Sequence, residues 1–121
     1  MKKISVAIAI CLMVVSVFAL TSCATMSYKV YSGSMEPNIP SGSTVYCEKV
    51  DPEDLQVGDI ITYMLNEELK STHRIVDITI DEDGTYYFTT KGDANSENDY
   101  APVHEANVLG RVVRIQKPLF K

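Results

Sequence analysis

The sequence predicts a mostly β domain, a small antiparallel β-sandwich or barrel, preceded by an N-terminal hydrophobic helix. Three observations carry this. Downstream of residue 24, apolar residues alternate or come in short runs rather than at helical spacing. The runs are rich in β-branched and aromatic residues and are separated by turn-forming clusters. The first 24 residues are of another kind: Lys2 and Lys3 precede Ile4 to Leu20, an uncharged stretch broken only by Ser5 and Ser16.

That first segment, residues 1–24, reads as a membrane-engaging leader, with its lysines on the cytoplasmic side and residues 25–121 outside. Three fates stay open. As a retained helix, Ile4 to Ala24 reaches roughly 31 Å, enough to span a bilayer. Alternatively, "LTSC" ending at Cys23 has the form of a lipobox, which implies cleavage before Cys23 and acylation of its thiol. Ser22 and Ala24 also suit ordinary cleavage after Ala24. Under the first two fates the domain is tethered by its N-terminus to the outer face of the cell membrane, with membrane lipid as a partner.

Six strands are expected in the remainder: "SYKVYS" (Ser27 to Ser32), "STVYCEKV" (Ser43 to Val50), "DIITYML" (Asp59 to Leu65), "HRIVDITI" (His73 to Ile80), "TYYFTTK" (Thr85 to Lys91) and "LGRVVRI" (Leu109 to Ile115). "DPEDLQ" offers one helical turn opened by Asp51, with Pro52 at its first position. Composition narrows the function. From Ala24 onward nine Lys and Arg face sixteen Asp and Glu, a balance that argues against nucleic acid as a partner. Cys47 is the one cysteine well inside the folded part, so no disulfide framework is implied. Two histidines and that cysteine provide no zinc ligand set, and neither a phosphate-cradling loop nor a dinucleotide fingerprint is present; no metal or cofactor is expected.

The hairpin at Asp83-Gly84 links two chemically useful residues. A two-residue loop pairs Glu82 with Thr85 and sets His73 against Ala94; a four-residue loop sets His73 against Gly92. The register in between, with a three-residue loop or a bulge, sets His73 directly against Asp93. In each case a carboxylate comes near an imidazole, which is half of a nucleophilic triad. The missing hydroxyl lies in "YSGSMEPNIPSGS" (Tyr31 to Ser43), where Ser34 sits between Gly33 and Met35. Serine needs a base to remove its proton, and a neutral imidazole is suited to accept it. His104, in "PVHEAN", has no such pattern around it and reads as a surface residue.

Five stretches in order, "SGSMEPNIPSGS", "LQVGDIITY", "STHRIV", "TKGDANSENDYAPV" and "VLGRVV", resemble the motifs of type I signal peptidases. They are most similar to the ER-type branch, which includes archaeal and SipW-like Gram-positive enzymes and carries His where the common bacterial branch carries Lys. The resemblance covers Tyr31 to Val113. It implies a serine endopeptidase in which Ser34 is the nucleophile and His73 the general base. Asp93 and Asp99 would orient or support that base, and which of them touches the imidazole stays open. Ser32 and the Ser34 backbone N–H would form the oxyanion hole. The implied substrates are signal peptides of exported proteins with small residues at the first and third positions before the cut; accessory subunits are not indicated either way. About ten residues separate Ala24 from Ser34, at most roughly 33–36 Å, which would keep the hydroxyl near the bilayer. Two rivals stand beside this expectation: a non-catalytic anchored β-domain that binds partners on the same scaffold, and a self-cleaving repressor-type domain, which would use a Ser-Lys pair and a cytoplasmic setting.

Overall fold

The computed structural model describes residues 25–119. The leader, with its hydrophobic segment and Cys23, lies outside the described residues. Among those residues no helix is long and apolar enough to cross a membrane.

Seven strands form one antiparallel sheet: β1 (Thr25–Lys29), β2 (Thr44–Glu48), β3 (Ile60–Met64), β4 (Lys70–Ile80), β5 (Tyr86–Lys91), β6 (Val103–His104) and β7 (Val108–Gln116). Their order across the sheet is β1-β2-β7-β3-β4-β5-β6. The all-β, antiparallel expectation matches this architecture, but the sandwich or barrel needs correction, because the sheet is not closed. Closure would require β1 to pair with β6, but these are the two ends of the strand order, and β6 spans only two residues.

Local chemistry explains where the strands differ from expectation. β4 begins three residues before His73 because Asn66 closes the preceding turn: its side-chain oxygen accepts from the N–H groups of Glu68 and Leu69, both at 2.9 Å. β6 was not expected; Val103 is buried in the core and anchors it. Its neighbour His104 is half-buried and serves locally, accepting from the Ala106 N–H at 2.9 Å and meeting the Tyr87 ring edge-on. The turn opened by Asp51 is a 3-10 turn over Pro52–Asp54.

The core comes in two clusters. Leu55, Ile61, Tyr63, Ile75, Phe88 and Val103 form one; Val30, Met35, Ile39, Val45 and Cys47 form the other. Ile60 packs on the second cluster while its neighbour Ile61 belongs to the first, so β3 is covered on both faces. The hydroxyl-rich turn after β1 is held from beneath: Met35 and Ile39 are fully buried, each contributing about 1.5–3 kcal/mol. Its two ends are tied by Val30 N–H to Ser43 C=O at 2.8 Å and Gly42 N–H to Val30 C=O at 2.7 Å. Gly42 takes a φ of 91°, which a side chain would strain.

Candidate active site

Ser34 stands on that turn, and three contacts position it. Ala94 N–H donates to its carbonyl at 2.9 Å, Glu36 N–H closes a tight turn on Gly33 C=O at 3.1 Å, and Met35 plugs the core directly behind it. Across from the turn, β4 presents His73. Its Nε2 lies 3.0 Å from Ser34 Oγ. Its Nδ1 lies 2.5 Å from Asp99 Oδ2. With Nδ1–H donating to the carboxylate, the Nε2 lone pair faces the hydroxyl, the tautomer required for a base.

The structure therefore brings Ser34, His73 and Asp99 into one line and sends Asp93 elsewhere. Asp93 does not bond the imidazole. Its carboxylate takes a two-pronged contact from Arg74, Nε to Oδ1 at 2.9 Å and Nη2 to Oδ2 at 2.8 Å, and accepts from Asn38 Nδ2 at 2.8 Å. The Arg74 guanidinium, then Asn38, hold that carboxyl below its usual range. Arg74 also donates to Gly58 C=O at 2.8 Å. The set ties together the turn bearing Ser34, the segment before β3, and the loop after β5.

Ser32 Oγ lies 3.0 Å from Ser34 Oγ and 3.5 Å from Ser34 N. A hydroxyl and a backbone N–H thus flank one side of Ser34, the arrangement needed to meet negative charge developing on an attacked carbonyl. Among the described residues no three His, Cys, Asp or Glu side chains gather as a metal site.

Two residues that the sequence reading did not single out complete the site. Thr90, fully buried, donates from its hydroxyl to Asp99 Oδ2 at 2.7 Å and accepts the Asp99 N–H on its carbonyl at 2.8 Å. The Tyr63 hydroxyl is 3.2 Å from Thr90 Oγ1, 3.3 Å from Asp99 Oδ2 and 3.4 Å from His73 Nδ1. Burial pushes the Tyr63 phenol above its ordinary range, so it stays a neutral donor. The signal that finds them is parity. Ile61 opposes His73 and Ile75 opposes Thr90, so period-2 alternation puts Tyr63, His73 and Thr90 on one face.

A groove of about 530 Å³ opens beside Ser32, walled by residues 27–32 on one side and residues 68–72 on the other. Both walls carry unpaired strand edges. Among the described residues β1 pairs only with β2, and Lys70, Ser71 and Thr72 pair only with β3, because the β4–β5 ladder begins at Arg74.

The family model described as signal peptidase, peptidase S26, matches residues 2–100. Signal peptidase I W of Bacillus subtilis (strain 168) is 44% identical over 90 residues, covering 74% of this chain and 47% of that protein. The signal peptidase complex catalytic subunit sec11 of Dictyostelium discoideum is 38% identical over 90 residues, covering 68% and 50%. SEC11 of Plasmodium falciparum (isolate 3D7), likewise named a signal peptidase complex catalytic subunit, is 31% identical over 80 residues, covering 65% and 42%. The chain spans about half the length of the curated relatives it matches. With the family model covering most of its length, the chain belongs to the signal peptidase family, peptidase S26.

Proposed function

We propose that this protein is a membrane-tethered serine endopeptidase of the ER-type branch, and that it removes signal peptides from exported proteins through an acyl-enzyme. The observation that carries the reading is the continuous contact from Ser34 Oγ through His73 to Asp99, at 3.0 and 2.5 Å. In the first half-reaction Ser34 Oγ attacks the scissile carbonyl and its proton passes to His73 Nε2. Asp99 holds the imidazolium that forms. The carbonyl oxygen, now negative, is met by the Ser32 hydroxyl and the Ser34 N–H. As the C–N bond breaks, Nε2 returns the proton to the leaving amine. Water, deprotonated by the same nitrogen, then hydrolyses the ester and restores Ser34.

The groove supports an extended peptide as substrate. A chain laid between β1 and the start of β4 finds a row of backbone donors and acceptors on each side and runs past Ser32 to Ser34. The acidic balance of the domain leaves nucleic acid out of the reading. Tethering rests on the leader: the short reach from residue 24 keeps Ser34 near the membrane surface, where signal peptides emerge.

Ser34→Ala tests the assignment. In membranes holding the full chain, a preprotein with alanine at the first and third positions before its cut stays uncleaved, while the melting temperature of the variant is unchanged. Cleavage by the alanine variant at the wild-type rate overturns the reading. A serine-directed acylating probe that labels wild type, and neither Ser34→Ala nor His73→Ala, separates an enzyme from a binding domain on the same scaffold.

A further inference from the structure

We propose that Thr90 is a positioning residue that sets the proton affinity of His73 by clamping Asp99 at two points, backbone and side chain. The inference rests on the Ser34–His73–Asp99 reading and goes beyond it.

Thr90 meets Asp99 through two groups. Its hydroxyl donates to Asp99 Oδ2 at 2.7 Å, the same oxygen that the imidazole Nδ1 approaches. Its carbonyl receives the Asp99 N–H at 2.8 Å. Asp99 follows a seven-residue excursion from Lys91, residues 92–98, so without this double contact its carboxylate would hang on a loop. Thr90 itself cannot move, being fully buried opposite Ile75 in the β4–β5 ladder. The Tyr63 hydroxyl backs the arrangement from β3, within 3.2 Å of Thr90 Oγ1 and 3.3 Å of Asp99 Oδ2. Thr90 thus transmits the rigidity of the sheet to a residue outside it.

The clamp has an electronic consequence. A carboxylate oxygen that already accepts from a buried hydroxyl shares less of its negative charge with the imidazolium. Removing that donor makes Asp99 a stronger partner for protonated His73, so the imidazole holds its proton to higher pH. It also frees the carboxylate to leave the plane of Nδ1. The other groups against the imidazole do not oppose this direction. From the turn, Ser34 and Ser32 bring neutral hydroxyls; from β3, Tyr63 brings a neutral phenol. Arg74, next on β4, is committed to Asp93, and Lys91 of β5 donates to Gly92 C=O at 3.1 Å.

The experiment is an NMR titration of the two imidazoles in the full chain carrying Ser34→Ala, with and without Thr90→Val. His104 is the internal control. The midpoint for His73 moves to higher pH in the valine variant and returns toward the parent in Thr90→Ser, which keeps the hydroxyl. With Asp99→Asn also present, Thr90→Val moves it no further. In the otherwise wild-type chain, cleavage of a peptide with alanine at the first and third positions before the cut falls about tenfold or more in kcat for Thr90→Val, with KM little changed. The acid limb of its pH profile shifts upward with the NMR midpoint. An unmoved His73 midpoint in folded Thr90→Val overturns the proposal, as does an equal shift in the Asp99→Asn background. If the valine variant does not fold, Thr90→Ala is read in the same way. The titration needs no turnover, so it fails or succeeds separately from the catalytic reading: peptide cleavage by Ser34→Ala would sink that reading, and an unmoved midpoint only this one.

Discussion

A methyl group at Gly92 tests how the two halves of the site are held together. A Cβ built there falls 2.7 Å from the Ser34 carbonyl oxygen and 2.6 Å from Asn95 Nδ2. The two contacts differ in kind. Asn95 can rotate its amide away, whereas the Ser34 oxygen is backbone and is engaged by the Ala94 N–H at 2.9 Å. Relief in Gly92→Ala therefore comes from moving the Ser34 turn and the loop after β5 apart by at least about 0.3 Å, to restore a carbon–oxygen distance near 3 Å. Overpacking of this sort costs about 1–3 kcal/mol. For a domain of this size each kcal/mol lowers Tm by about 4–8 °C, so a fall of about 4–24 °C is expected. The same displacement opens the 3.0 Å gap between Ser34 Oγ and His73 Nε2, because His73 belongs to the sheet and Ser34 to the turn. Misplacement by about 1 Å costs roughly a hundredfold in rate, so a few tenths of an ångström is expected to cost several-fold to tenfold. Differential scanning fluorimetry and peptide cleavage read the two effects. The double variant Gly92→Ala, Asn95→Ala removes the soft contact and keeps the hard one, and both losses persist in it. Wild-type Tm and kcat in Gly92→Ala, or full recovery in the double variant, would refute the reasoning.

Other consequences follow from the same contacts. Ser32→Ala removes one of the two donors beside Ser34 and lowers kcat by roughly a hundredfold with KM held, as steady-state cleavage will show. Arg74→Gln loses the two-pronged contact to Asp93 and costs about 1–3 kcal/mol in chemical denaturation at pH 7. Because Arg74, and after it Asn38, favour the ionised form of folded Asp93, the stability they supply is present above the unfolded carboxyl value, about 3.9, and is lost as pH falls through the folded one; the wild type loses the Arg74 share below about pH 4 and Arg74→Gln has none of that share to lose, so the two stability curves converge in acid. The Cys47 thiol, fully buried and pushed up by that burial, escapes iodoacetamide in the native protein and reacts once urea unfolds it, a difference that mass spectrometry of alkylated peptides detects. Phe88→Ala empties the largest fully buried position and lowers stability by about 3–5 kcal/mol in urea denaturation.

Much of the fold was legible because its signals are local. Alternation and β-branched content marked six of the seven strands, and Asp51-Pro52 marked the 3-10 turn. The two-residue β6 was not, since two residues have no period to read. Openness of the sheet was equally hidden: alternation says that a strand has an inner face, not whether the first and last strands meet. Within the site, Ser34 and His73 stood out through residue type and motif spacing. Tyr63 and Thr90 did not, because a tyrosine and a threonine on strands are ordinary β-formers until the ladder puts them on the face of His73.

The choice between the two aspartates shows how one irregularity decides the chemistry. From Ile80 back to Asp77 the hairpin keeps the intermediate register, Ile80 opposite Tyr86 and Asp77 opposite Thr89, as the three-residue loop Glu82 to Gly84 requires. Continued without interruption, that register would set His73 against Asp93. A bulge between Ile75 and Asp77 absorbs Val76, and beyond it Ile75 opposes Thr90 and Arg74 opposes Lys91. The ladder has slipped by one, so the next step brings His73 to Gly92, where the absence of a side chain lets the Ser34 carbonyl approach. Asp93 is left beyond the strand end within reach of Arg74 on the opposite face, and the imidazole side becomes free for Asp99 returning from the loop. Of the three registers that the turn chemistry leaves open, the intermediate one holds near the turn and the bulge converts it, at the site, to the pairing that a four-residue loop would give. Deleting Val76 removes the unpaired residue but leaves Ile75 opposite Thr90 and Arg74 opposite Lys91, so His73 still comes beside Gly92 and keeps Asp99; the expected result is a folded sheet that still cleaves, and cleavage at background in a folded deletion would show that the bulge does more than set this register.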